Sequence, residues 1–425
     1  MASAHDVPAA IEAIYRIESP RIVAGLTRIV GDVGVAEDLA QDALLAALEQ
    51  WPASGIPENP GAWLMAAARH RAVDRVRHER MRARKHEEIG RARAADGADP
   101  TDAMDAALDD PIGDDLLRLV FLTCHPVLSL EARIALTLRL LGGLTTEEIA
   151  RGFLTGEPTV AQRIVRAKRT LAEQRVPFEV PRGAALGERL AGVLAVLYLI
   201  FNEGYTATAG AEWTRPPLCL EALRLGRVLA GLLPGEPEVH GLVALMEFQA
   251  SRLRARRGPS GAILRLAEQD RTLWDQTLVR RGVAALQRAR DLGGPPGKHL
   301  LEAEIAACHA LARSVETTEW ARIVQLYDRL LEVAPSPVVA LNRVVAVSMA
   351  SGPEQALVLL DTLAGVPQLR GYHLLPAVRG DFLFRLGRRA EARAEFERAA
   401  ALTRNDRERE LLLARSQACT EPGSS

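Results

Sequence analysis

Between Leu144 and Leu171 the chain reads LTTEEIARGFLTGEPTVAQRIVRAKRTL, a run with room for only two short helices and a tight turn. Thr145, followed three residues later by Glu148, has the spacing of a capping box, which opens the first helix. Ile149 and Ala150 give that helix an inward side, and Gly152 and Gly156 flank the turn. Pro158 suits the first turn of the second helix, where no amide donor is lost. Val160, Ile164, Ala167 and Leu171 then recur at helical spacing and face a core. Thr159, Gln162, Arg163, Arg166 and Arg169 fall on the other side. Arg and Lys on such a face neutralise phosphates, while Gln, Thr and Arg reach base edges. The outline is that of a helix-turn-helix, which sets its second helix in a DNA major groove. An ordinary amphipathic pair with a solvated basic face has the same pattern.

The remainder of the chain reads as helical too. Ala, Leu and Arg dominate, alternating β-branched runs are scarce, and aromatics make up only 4%, so an all-α fold is expected. At 425 residues and 48% hydrophobic content, two to four domains with real cores are affordable. The net charge of −1 gives no global basic field. Charge is local instead: residues 69–93 hold ten Lys/Arg against four Asp/Glu, while 96–115 hold eight Asp and no basic residue. The four cysteines lie far apart, with no metal-ligand or CxxC spacing. Buried thiols in a reduced, cytoplasmic protein follow, with no metal and no cofactor. No signal pattern opens the chain. The apolar run near Ala191–Phe201 is short for a bilayer and reads as a buried helix, so no membrane partner is expected. No nucleophile–base pair or phosphate loop stands out, so the chain is not expected to be an enzyme.

Four segments follow. Residues 8–86 form a helical block. The stretch 87–112 is small, acidic and poor in large apolar residues, as a flexible linker is. Residues 113–176 end in the helix-turn-helix, and 183–415 form a long helical extension. Within it Ile323–Pro335, Ala356–Pro367 and Ala392–Leu402 repeat at about 33 and 36 residues. Tyr327, Leu360 and Phe396 take comparable places. Helix pairs of tetratricopeptide (TPR) type have such a period and offer a concave protein-binding surface; a non-repeating bundle is the alternative.

In the first block, AEDLAQDALLAALEQW (36–51) carries an apolar stripe and, near its start, a cluster of Glu37, Asp38, Gln41 and Asp42. Negative charge there also suits the helix dipole. WLMAAARHRAVDRVRHERMRARK (63–85) has a buried side at Leu64, Ala68, Ala72 and Val76, and aligns Arg77, Arg80 and Arg84 on one face. Trp51 and Trp63 sit at apolar helical positions and read as core anchors rather than as platforms for melted bases.

These segments together resemble an RNA polymerase sigma factor of the extracytoplasmic-function type. EDLAQDALLAAL resembles the region 2 helix that docks on core polymerase, which implies core RNA polymerase binding by Asp38, Gln41 and Asp42. The 63–85 helix resembles the one that meets the −10 element, with Asp74 and Arg77 in the D-x-x-R pattern and Arg80 and Arg84 beyond. The helix-turn-helix resembles region 4, which implies −35 contacts by Thr159, Gln162, Arg163, Arg166 and Arg169. Leu154 stands where many helix-turn-helix sequences place a glycine. The loop Pro52–Pro60 would sit where related factors capture a flipped base. YLIFNEGYTAT (198–208), the repeats and ALNRVVAVSMASGPEQAL (340–357) resemble the sigma group with a long C-terminal TPR-like extension. The resemblance implies promoter-specific initiation with promoter DNA and core polymerase as partners, and an extension that regulates activity or docks a protein partner.

Two further readings stay open at this level. One is a helix-turn-helix regulator with a TPR-like scaffold and no polymerase; the other is a pure interaction protein with a degenerate sigma domain. Asn202–Thr206 has two readings of its own: a helix end with Gly204 as its stop and Tyr205 packing against the sigma domains, or a ligand site.

Overall fold

The computed structural model describes residues 6–88, 112–153, 155–206, 214–256, 258 and 263–420. Among these are eighteen α-helices and no strand beyond isolated bridge positions at Ile263 and Asn405. The chain divides into two compact units, 1–197 and 198–425.

In the first unit, helices α1 (Asp6–Val30), α2 (Val33–Ser54) and α3 (Pro60–Glu88) pack against one another. The Asp32 carboxylate accepts from the Gly34 and Val35 amides at 2.7 and 3.0 Å, so α2 opens at Val33. That is a turn earlier than the acidic cluster suggests, and places Asp38 and Asp42 beyond the reach of the helix-end dipole. Ala36, Ala40, Ala43 and Ala47 line the buried side of α2, ending in Trp51, which is only 1% exposed. Small side chains let Ile22 and Leu26 of α1 and Leu64 and Ala68 of α3 share this core. Truncating one of the fully buried leucines there costs about 2–5 kcal/mol.

Next come α4 (Ile112–Thr123), α5 (Leu130–Leu140), α6 (Thr146–Gly152) and α7 (Glu157–Glu173). The acidic linker expected at 87–112 falls almost wholly outside the described residues. Helix α8 (Ala184–Tyr205) starts after Gly183, whose φ of +58° ends a short hinge, residues 177–183, that carries Pro177 and Pro181. The division between units falls inside α8, after Leu197, and not at the hinge. Arg189 explains this: its guanidinium donates to the Phe121 carbonyl of α4 at 2.8 Å. The apolar run at 191–201 is the middle of this 22-residue helix, which is long and apolar enough to cross a membrane. Val193, Leu194, Val196, Leu197, Ile200 and Phe201 along it are buried.

The second unit continues with α9 (Pro216–Leu232), α10 (Pro237–Ser251), α11 (Gln276–Asp291) and α12 (Lys298–Leu311). The three repeats are then helix pairs. They are α13 (Trp320–Val333) with α14 (Pro337–Ser351), α15 (Pro353–Leu363) with α16 (Leu374–Arg385), and α17 (Arg389–Leu402) with α18 (Asp406–Ala418). Tyr327, Leu360 and Phe396 sit on the first helix of each pair. The residue after each ties the pair together. Asp328 accepts from Arg343, Asp361 from Arg379, both at 2.5 Å, and Glu397 from the Ser416 hydroxyl at 3.1 Å. At Gly380 a Cβ would stand 2.7 Å from a ring carbon of the buried Phe396, so a larger residue there would push the ring aside. All four cysteines are free and buried.

Candidate nucleic-acid and polymerase interfaces

Both bonds of the capping box at Thr145 are present. The Glu148 amide donates to Thr145 Oγ1 at 3.1 Å, and the Thr145 amide donates to Glu148 Oε2 at 2.8 Å. The second helix begins at Glu157 with Pro158 in its first turn and Gly156 as its cap. Val160, Ile164, Ala167 and Leu171 are each 5% exposed or less and seat α7 against α5 and α6. This orients the opposite face. Thr159, Gln162, Arg166 and Arg169 are exposed and Arg163 is half-buried. Arg169 pairs with Glu173 one turn on, at 2.6 Å. Leu154, in the turn, lies outside the described residues.

The face of α2 divides in two. Asp38 and Asp42 point outward, joined by Leu45, which is 57% exposed. An apolar side chain so exposed beside two carboxylates has the make-up of a docking surface, and the apolar stripe read from the sequence passes it by. Glu37 and Gln41 turn the other way. Glu37 is buried and accepts from Arg139 Nε at 2.7 Å and Lys168 Nζ at 2.6 Å, while Gln41 Nε2 donates to it at 3.1 Å. Burial alone would raise the Glu37 carboxyl; Lys168 and Arg139 more than offset this and hold it below the usual carboxylate range. Gln41 is thus engaged beside an internal ion pair, apart from the outward carboxylates. Arg139 belongs to α5 and Lys168 to α7. A second link joins Arg16 of α1 to Glu148 and to the Gly143 carbonyl, and a third joins Arg28 to Asp115 at 3.0 Å. Through the first two links α1 and α2 close on the helix-turn-helix, and through the third α1 closes on α4.

A groove of about 880 Å³ runs between α1 and α3. Arg21, Arg28, Arg69 and Arg77 line it together with the carboxylates of Glu18, Asp74 and Asp115, so its charge is mixed. His70 Nδ1 lies 3.4 Å from the Asp74 carboxylate, and the His78 ring meets the Asp74 carbonyl at 2.8 Å. Arg77 is exposed; the side chains of Arg80 and Arg84 lie outside the described residues. The first residues of the 52–60 loop are the last turn of α2. Only Gly55–Asn59 connect the helices, and the Asn59 carboxamide accepts from the Ala62 amide at 3.0 Å to cap α3. Trp51 is fully buried, and the half-buried Trp63 meets it edge-on at 5.2 Å.

A module of three helices followed by a capped helix-turn-helix is the architecture of a sigma-70-type initiation factor. The comparisons agree. Residues 14–82 match the model of sigma-70 region 2, residues 118–171 that of sigma-70 region 4, and residues 189–290 that of a family of unknown function. An uncharacterized protein of Rhizobium meliloti is 41% identical over 91% of this chain and 90% of its own length. The ECF RNA polymerase sigma factor SigK of Mycobacterium ulcerans is 30% identical over 36% of this chain and 78% of its own. The probable ECF RNA polymerase sigma factor SigI of Mycobacterium tuberculosis is 29% identical over 40% of this chain and 57% of its own. The chain belongs to the extracytoplasmic-function RNA polymerase sigma factors, with a long helical extension following its sigma modules.

Proposed function

We propose that the chain directs promoter-specific initiation through three surfaces and is regulated through its extension. Thr159, Gln162, Arg163, Arg166 and Arg169 on α7 read the −35 element. Asp74 and Arg77 at the α1–α3 groove, with Arg80 and Arg84 further along α3, act on the −10 element. Asp38 and Asp42 dock on core polymerase together with Leu45, and Gln41 contributes by holding Glu37 inward. The protein works in the cytoplasm, where the polymerase is, and has no catalytic centre of its own.

The observation that carries this reading is the outward face of α7. Its buried side is fixed by four apolar residues, so Thr159, Gln162 and Arg166 are presented on a rigid helix. Rigid presentation is what base readout requires. Arg and Lys on phosphates supply affinity and salt dependence, Gln and Thr supply discrimination.

We also infer that the Glu37–Arg139–Lys168 junction opens during initiation. Elements 25 positions apart along B-DNA are separated by roughly 85 Å at 3.4 Å per step. Modules held together by a buried ion pair do not reach both. The 87–112 segment supplies the length for separation, and the extension from 183 onward biases the equilibrium.

Pulldown of core polymerase tests the docking surface. The Asp38→Arg/Asp42→Arg chain is expected to lose polymerase while still binding −35 DNA. Retained polymerase binding contradicts the assignment. A chain ending after Thr206 tests the extension: unchanged activity and promoter choice would contradict a regulatory role.

A further inference from the structure

The extension contains a polar cavity that promoter reading does not use. It measures about 260 Å³ and lies where α10, α12, α13 and α14 meet. Two of the side-chain atoms lining it are buried without a hydrogen-bond partner among the described residues: Glu302 Oε2 and His309 Nδ1. Buried polar atoms left unpaired are costly, so two in one cavity call for an occupant. Both stand on α12, seven residues apart, which is two turns and about 10 Å of rise on the same face.

The two ends of the cavity differ in charge. At the first, Glu302 is flanked by Tyr198 and Tyr327, whose rings line the wall. Among the described residues no hydrogen-bonded cation neutralises it; Lys298 and His299 act on it only at longer range, and burial raises its carboxyl above the usual range. At the second end, burial and then Arg252 and Arg271 push His309 down to about 3, so its ring is neutral at physiological pH. Arg271 is held by the His309 and Ala312 carbonyls at 2.7 and 2.6 Å, which fixes the end of α12. Arg252 lines the cavity itself. Its Nη2 donates to Tyr205 Oη at 2.5 Å and its plane lies over Trp274, which leaves N–H groups for a second acceptor.

We propose that this cavity binds a small zwitterion, its ammonium group against Glu302 between the two tyrosines and its carboxylate against Arg252 and His309 Nδ1–H. Each orphaned atom then gains a partner of the right polarity, and the aromatic walls favour the cation. The volume suits a free amino acid or an ω-amino acid, below the span of most drug-sized sites. Exposed Asn342 stands at the mouth. The site goes beyond the initiation reading and does not depend on it.

Calorimetric titration of the full chain, without polymerase or DNA, tests this. The probes are the free α-amino acids, 4-aminobutyrate and 6-aminohexanoate, with the matching amines lacking a carboxylate and the matching acids lacking an amine. At least one zwitterion is expected to bind saturably, and its two single-charge analogues about tenfold or more weaker. Glu302→Gln and Arg252→Gln are each expected to lower affinity about tenfold or more. Tyr327→Phe, which keeps the ring and loses only the hydroxyl, is the milder variant should either fail to fold. It is expected to retain cation binding with a smaller loss. No saturable binding by any probe overturns the proposal. So does equal binding of the bare amine or bare acid, or unchanged affinity in folded Glu302→Gln and Arg252→Gln.

Discussion

Glu37 and Lys168 meet at 2.6 Å although 131 residues separate them in the chain. One is on the helix whose outer face carries Asp38 and Asp42. The other is on the helix whose outer face carries Arg163 and Arg166. Arg139 completes the site at 2.7 Å, so a single buried carboxylate joins the three-helix module to the helix-turn-helix.

Glu37→Gln tests that junction. Breaking a buried ion pair costs about 3–5 kcal/mol. Arg139 and Lys168 keep 27% and 19% of their side-chain exposure, so about 2–3 kcal/mol is expected here. Because the folded carboxyl lies below its unfolded value, its contribution is complete above about pH 4.3 and fades as pH falls through the folded value. Urea unfolding of wild type and Glu37→Gln from pH 7 to pH 3 measures this. The two midpoints should converge at low pH; a constant difference would show that the pair is not its source.

Arg166→Ala and Gln162→Ala should behave differently in DNA binding. Loss of a phosphate contact weakens binding to all sequences alike and lowers the salt slope by about 0.9. Loss of a base contact costs about 1–3 kcal/mol only on the preferred sequence. Fluorescence anisotropy at several salt concentrations, on preferred and scrambled −35 duplexes, separates the two. Identical behaviour of both variants would contradict the division of roles.

Thr145→Ala removes one bond of the capping box. It should destabilise the helix-turn-helix by about 1 kcal/mol, the usual cost of a lost cap. Thr145→Ser keeps the hydroxyl and should restore most of it. Thermal denaturation of the full chain is the measurement, and an unchanged midpoint in Thr145→Ala would contradict the role of the cap.

Gly204→Ala should destabilise the second unit. A Cβ at 204 would lie 2.5 Å from the Cys219 amide nitrogen and 2.9 Å from the Arg215 carbonyl, both backbone atoms that cannot yield. A loss of about 1–3 kcal/mol is the scale for such overpacking. Hydrogen exchange at the start of α9 should rise in the variant; unchanged protection would show that the approach is looser.

Gly204 also marks a limit of reading helices locally. A glycine near the end of a long apolar helix looks like a stop. In the fold it stays helical through Tyr205, and its missing Cβ admits the start of α9. Tyr205 then stacks on Phe201 at 5.8 Å and under the Arg256 guanidinium. The helix-turn-helix was legible because its signals are local: a cap three residues from its partner, and apolar residues every three or four positions. The helical repeats were legible for the same reason. Glu37 was not. It stands in the same cluster as Asp38, Gln41 and Asp42, and nothing within a helical turn reveals partners 102 and 131 positions away. Glu302 and His309 stayed hidden likewise, on a helix whose pattern is that of an ordinary buried element.

The central claim is that this chain, bound to core polymerase, starts transcription at a promoter read by α7. Run-off transcription with core polymerase and a template carrying a matched promoter tests it most directly. The expected result is a discrete transcript that needs the chain, is lost with Asp38→Arg/Asp42→Arg and is strongly reduced with Arg163→Ala/Arg166→Ala. A folded chain that gives no transcript on any template bearing a −35 element it binds, or one whose transcript survives both pairs of substitutions, would contradict the account.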